Sequence, residues 1–318
     1  MTNLLLTTNI VLPIFLLMAV GFCCRQLRIV NEAGFSAINK AVFRIFLPAS
    51  LCQSIMSIDP DSIVNPSALL FAAVGVTVIF LLGCLIVPRL VKDNRRRGVI
   101  IQDLYRSNYA IFGLPVCEAL FPQGDGGMAA MMVVIAIPLF NAYSVIALER
   151  YRDHGEGDGG KVNFRKIFLG IAKNPLIHGC LIGLVIMQLH IPIPQFAAAT
   201  LSKLAVIASP LALFALGGAI NPQALRGNTK SLCAMVFIRL LFIPAIALSA
   251  AYALGYRGVA FAVMMIVFAS PCAVSSYTMA DQMGGDSEFA AQVVMLTTVF
   301  SAFTMFALIF LCKTLGIF

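Results

Sequence analysis

The chain contains no tryptophan and only three histidines, and charged residues fill 11% of its 318 positions. A soluble domain carries about a quarter. Each scarcity excludes something. So few charges cannot cover the surface of a soluble protein of this length. The histidines, His154, His178 and His190, are scattered, and no nucleophile and base stand at a fixed spacing. That leaves no constellation for an intramembrane enzyme. The nine cysteines include no CxxC pair and fall almost entirely inside apolar runs. They read as small buried side chains, with no zinc site among them. Without tryptophan, an interfacial aromatic belt falls to tyrosine and phenylalanine. Acidic residues number 14 against 22 basic ones, but the excess lies in short segments between apolar runs and suggests no nucleic-acid partner. The first nine residues hold no Lys or Arg, and no small-residue cleavage site follows the first apolar run. The start of the chain therefore reads as a retained span.

What is present is hydrophobicity: 60% of residues, with a mean hydropathy of +0.94. About 20 apolar residues cross a bilayer core. Ten such runs are predicted, near residues 4–24, 35–57, 68–91, 99–121, 128–148, 167–189, 196–220, 231–254, 259–283 and 289–312. The class is thus an all-α integral membrane protein of ten transmembrane helices. Residues 151–166 form a Gly-rich, charged linker (His154-Gly155-Glu156-Gly157-Asp158-Gly159-Gly160) of flexible composition. Ten spans put Arg89, Lys92, Arg95, Arg96, Arg97, Arg150, Lys161 and Arg165 on one side, and only Arg257 and Lys313 in the opposite set. Positive charge stays cytoplasmic, so the linker faces the cytoplasm. Both termini are expected outside the cell (inner) membrane.

The chain repeats itself. Pro13, Gly21 and Pro48 fall on Pro175, Gly183 and Pro210 at an offset of 162, and Gln26-Leu27-Arg28-Ile29 falls on Gln188-Leu189-His190-Ile191. Arg97-Gly98-Val99 matches Arg257-Gly258-Val259 at 160, and Gly124-Asp125 matches Gly285-Asp286 at 161. The pattern predicts two five-helix repeats, residues 1–150 and 167–318. An odd number of spans inserts the second copy upside down, a construction common in secondary transporters.

Span four is interrupted by Ser107-Asn108-Tyr109 and by Gly113-Leu114-Pro115; span nine is interrupted by Ser270-Pro271-Cys272 and Ser275-Ser276. An offset of 161 lays Asn108-Tyr109-Ala110 over Ala269-Ser270-Pro271. Proline removes a helical hydrogen bond, and such a break persists in hydrocarbon only where protein or a cavity satisfies the freed groups. Two half-helix ends meeting at mid-membrane would present N–H groups that suit a carboxylate. The candidate substrate-binding residues are Asn108, Tyr109, Gly113, Pro115, Ser270, Pro271, Ser275 and Ser276. Charges within spans are functional candidates: Glu118 and Asp281 for a coupling proton. Asp103 and Arg106 are expected to form a local pair. Lys40, Arg44 and Arg239 are expected to snorkel to the nearer interface.

On Arg106-Ser107-Asn108 with Gly113-Leu114-Pro115, Asn174-Pro175-Leu176-Ile177, Ser209-Pro210-Leu211-Ala212-Leu213, Pro271 and Gly284-Gly285-Asp286, the chain resembles the auxin efflux carrier family along its whole length. That resemblance implies crossed broken helices four and nine. It also implies a scaffold and homodimer contact made of helices 1, 2, 6 and 7. Helices 3–5 and 8–10 would form a transport bundle that moves as an elevator. Ser107 stands where plant members have proline, and the linker is far shorter than theirs. Small bacterial members are commonly assigned malonate, malate or related carboxylates. The sequence thus reads as a secondary transporter of small organic anions with no cofactor; coupling to H+ or Na+ is open. An auxin-like aromatic acid exporter, a sodium-coupled anion symporter akin to bile-acid transporters, and a membrane ligand sensor are the alternatives.

Overall fold

The computed structural model describes residues 2–56, 65–109, 113, 116, 117, 120, 121, 126–152, 169, 172–220 and 222–317. Among them the regular elements are helices, with one isolated β-bridge. Helix α1 runs Thr2–Gln26. Helices α2 (Glu32–Ala41) and α3 (Leu47–Met56) join through a π turn, Val42–Phe46. Then follow α4 (Pro66–Leu90), α5 (Asn94–Tyr105), α6 (Gly126–Arg150), α7 (Pro175–Gln188) and α8 (Gln195–Ala219). Helices α9 (Pro222–Phe237) and α10 (Ile243–Ala253) flank a second π turn, Ile238–Phe242. The chain ends with α11 (Gly258–Ala269), α12 (Val274–Gln282) and α13 (Ser287–Thr314).

Local chemistry places these starts and irregularities. Asn65 and Asn174 cap α4 and α7 from just before a proline at the first helical position, which has no N–H to lose there. Asp93 caps α5 and Asp286 caps α13 through their side-chain oxygens. Each π turn stands directly before an in-helix proline, Pro48 or Pro244. Proline's ring crowds the carbonyl four residues back. That carbonyl, of Arg44 or Leu240, lies inside the widened turn, which relieves the clash.

Among the described residues, six helical rods are long and apolar enough to cross a membrane: Glu32–Met56, Pro66–Leu90, Met131–Arg150, Gln195–Ala219, Gly227–Ala253 and Ser287–Thr314. This is an integral membrane protein, but the count differs from the ten runs of the sequence. Three of the four missing spans have a physical source. Gly258–Ala269 stops at the break in span nine, α5 stops at the break in span four, and Pro175–Gln188 has 14 residues, roughly 21 Å of helix. Leu70, Val74, Val78, Leu81 and Leu85 of α4 and Leu181, Ile182 and Val185 of α7 are exposed, as hydrocarbon-facing residues would be.

Helix α1 packs on α8, and α3 packs on α7 and α8. These approaches are backbone-close. A Cβ at Gly21 would run into the Phe214 carbonyl, and one at Gly183 would stand 2.9 Å from the Cys52 carbonyl oxygen. Around this group, α4, α5 and α6 pack together, while α12 and α13 pair with one another. Helix α11 is enclosed, with every residue from Ala260 to Ala269 buried. The register of span four differs from the sequence alignment. Helices α5 and α11 are both 12 residues long and begin at Asn94 and Gly258. The Arg-Gly-Val match therefore puts Gly98 inside one helix and Gly258 at the start of the other.

Candidate functional site

Helix α5 ends at Tyr105 and α11 at Ala269, and both chains then become extended: Arg106 has φ −76° and ψ 101°, Ser270 φ −63° and ψ 152°. For Ser270 the cause is local, because a residue before proline is pushed out of the α region. For Arg106 the cause is tertiary. Asn108 N–H donates to the Pro271 carbonyl at 2.8 Å, and Ala273 N–H donates to the Arg106 carbonyl at 3.3 Å. The two breaks thus cross as a single antiparallel bridge between Ser107 and Cys272. The sequence offset lays Ser107 over Phe268 as repeat equivalents; the residue that Ser107 pairs with across the crossing is Cys272, four further along.

A helix end leaves carbonyls without partners, and here they are met individually. The Cys272 thiol donates to the Asp103 carbonyl at 3.3 Å, and Arg239 Nη1 donates to the Leu104 carbonyl at 3.0 Å. Arg239 is fully buried; the expectation that it snorkels is corrected, because an orphaned carbonyl at the break receives it. From the other side, Gln102 Nε2 donates to the Ser276 carbonyl at 3.1 Å.

Against the crossing lies a cavity of about 100 Å³. Its walls are Arg106, Ser107, Asn108 and Tyr109 from the first break and Ala273 and Ser275 from the second. Ile137, Phe140 and Asn141 of α6, Leu47, Ser50, Leu51 and Ser54 of α3, and Ser209 of α8 close it. Arg106 dominates the chemistry. Its Nη2 donates to Asn141 Oδ1 at 2.7 Å and Ser275 Oγ at 2.8 Å, and its Nη1 points at Met279 Sδ at 2.6 Å. The expected Asp103–Arg106 pair is absent among the ion pairs of the described residues; Arg106 has left the helix and turned to α6 and α12. Asn108 Nδ2 and Ser107 Oγ are buried without a protein partner. No carboxylate is among the described lining residues.

Of the sequence candidates, Asn108, Tyr109 and Ser275 line the cavity. Tyr109 spends its hydroxyl on the Ala129 carbonyl at 3.1 Å, so its ring forms the wall. Gly113 serves packing, since a Cβ there would collide with Ile266. Pro271 contributes its carbonyl to the bridge. Ser270 and Ser276 are fully buried outside the lining. Asp281 also lies away from the cavity, accepting from Asn39 Nδ2 at 2.7 Å and Gln282 Nε2 at 2.8 Å. Pro115 and Glu118 lie outside the described residues. Sequence reading passed over Arg106 as a binding residue, although an intramembrane charge beside the Ser-Asn break was the available signal. Asn141, Ser50 and Ser54 gave no signal of their own.

Apolar helices long enough to span a bilayer, packed around two shorter helices that break where polar side chains gather, make this a membrane protein with a polar interior site. Comparison with known proteins specifies it further. The family described as "Membrane transport protein" matches residues 6–157 and 161–309. The chain belongs to this family, the auxin efflux carriers. Among relatives, an uncharacterized transporter of Methanothermobacter thermautotrophicus is 22% identical over 296 residues, covering 93% of this chain and 95% of that protein. One from Methanocaldococcus jannaschii is 26% identical over 312 residues, 92% of this chain and 94% of its own. The transporter YfdV of Escherichia coli is 21% identical over 240 residues, 73% of this chain and 74% of its own.

Proposed function

We propose that the protein is a secondary active transporter of small organic anions, with the substrate carboxylate held at the crossing of the two breaks. One observation carries this reading: a buried guanidinium, Arg106, faces a cavity whose other polar walls are neutral. A guanidinium makes strong charge-assisted hydrogen bonds to a carboxylate, which would replace the neutral acceptors Asn141 and Ser275 on Nη2, and a broken-helix site at mid-membrane is where a transporter holds its cargo.

The reading extends to the frame. Ten spans form two inverted repeats, residues 1–150 and 167–318, joined by the linker at 151–166. The glycine contacts support this. Gly21 meets Phe214 and Gly183 meets Cys52; both Gly21 to Gly183 and Cys52 to Phe214 are steps of 162, the offset of the sequence repeat. The group of α1, α2, α3, α7 and α8 serves as scaffold and homodimer contact. The remaining helices carry substrate as an elevator, with both termini outside the inner membrane. Hydrogen bonds that join the two groups, such as Asn39 to Asp281, would then break and re-form in each cycle.

The test is counterflow in proteoliposomes with labelled short carboxylates. Saturable exchange that disappears in Arg106→Gln is expected. Flux without saturation, or binding without flux, would replace the carrier with a channel or a sensor.

A further inference from the structure

We propose that the cavity takes a short, singly charged acid bearing a 2-hydroxy or 2-oxo group, with Arg106 seating the carboxylate and Ser107 and Asn108 the second oxygen. This rests on the anion-carrier reading and narrows it.

Charge comes first. Arg106 is the one cation among the described lining residues, and its contacts, Asn141, Ser275 and Met279, are all neutral. Two other buried charges, Asp103 and Arg239, lie outside the cavity lining and are opposite in sign. One positive charge is therefore left facing the guest. In a desolvated site a second negative charge on the guest stays uncompensated at a cost of several kcal/mol. A neutral guest leaves the guanidinium without its strongest acceptor.

Size and donors follow. About 100 Å³ gives room for several waters at ~10–15 Å³ each, which suits a short acid. Ser107 Oγ and Asn108 Nδ2 are buried on the cavity wall without a protein partner. Such groups cost free energy unless a ligand or water satisfies them. A carboxylate on Arg106 leaves them for an oxygen one carbon away.

The test titrates the purified full-length protein with lactate, glycolate, pyruvate, propionate, malonate, malate and indole-3-acetate, reading the shift in thermal midpoint. At neutral pH a 2-hydroxy or 2-oxo monoacid is expected to act at about tenfold lower concentration than malonate, malate or indole-3-acetate, a difference of about 1.4 kcal/mol. Lowering the pH should strengthen malonate and malate, as their singly protonated forms accumulate, and leave lactate unchanged. Ser107→Ala should weaken lactate several-fold and leave propionate, which has no 2-oxygen, where it was. A dicarboxylate or indole-3-acetate that outperforms every monoacid overturns this inference and leaves the anion carrier standing. An equal loss of lactate and propionate in Ser107→Ala overturns the assignment of the second oxygen. Failure of all seven acids removes the anion-carrier reading as well.

Discussion

The backbone N–H of Asn108 donates to the carbonyl of Pro271 at 2.8 Å, joining two helix breaks from opposite halves of the sequence. That bond uses the main chain of Asn108 and leaves its side chain free to face the cavity. Asn108→Ala therefore removes a donor that holds nothing in the protein. We expect a thermal midpoint unchanged or slightly raised, with affinity for the transported acid lowered by up to about tenfold. The lost hydrogen bond to the guest's neutral second oxygen is worth ~0.5–1.5 kcal/mol. Equal affinity in the variant, measured by titration, would remove Asn108 from the site.

Pro271→Ala attacks the same crossing from the other chain. Alanine lifts the pre-proline restriction on Ser270 and supplies an N–H with which α11 can continue past Ala269. The bridge to Ser107 then competes with a longer helix. Initial rates of counterflow should fall at least about tenfold, while Pro271→Ala protein still reaches the membrane. A rate near that of the unaltered protein would mean the break is held by its neighbours alone.

Arg239 tests the support behind the site. Its donation to the Leu104 carbonyl satisfies one end of α5. Arg239→Gln should destabilise the protein by on the order of 1–3 kcal/mol through the orphaned carbonyl, and Arg239→Lys should recover part of the loss. The measurement is the thermal midpoint followed with a thiol-reactive dye, since Cys272 and Cys117 are buried in the folded state. A neutral Arg239→Gln would leave the break without the support assigned to it.

Two glycines give a paired prediction. Gly21→Ala and Gly183→Ala each force helix backbones apart, with overpacking costs of about 1–3 kcal/mol. Gly227 in α9 has open space around it, so Gly227→Ala should be neutral or stabilising by ~0.5–1 kcal/mol. A destabilisation confined to one of Gly21 and Gly183 would weigh against the symmetric scaffold.

Much of this was readable in the sequence because it depends on local chemistry. The Ser270-Pro271 break needs only proline's effect on its predecessor, and the starts of α4 and α7 need only an asparagine before a proline. What escaped was decided across the chain. The Arg-Gly-Val tripeptides align chemically, yet one lies within α5 and the other opens α11, because the position of each break is set by pairing with the other. The Asp103–Arg106 pair assumed a continuous helix, and three-residue spacing brings side chains together only there. Once α5 ends at Tyr105, Arg106 is free to reach Asn141. Arg239 could not be assigned a partner before the orphaned carbonyl of Leu104 was located.

The close contacts run between halves of the sequence: α1 lies on α8, α3 on α7, and Ser107 is bridged to Cys272. Neither half completes its own interior. Released alone, residues 1–152 would leave the end of α5 without its partners, and residues 172–317 would leave the start of α12 without its own. We expect either fragment produced alone to give little folded protein and the two produced together to restore it, with the yield of folded protein as the measurement; the chain would then behave as two subunits that share one polypeptide.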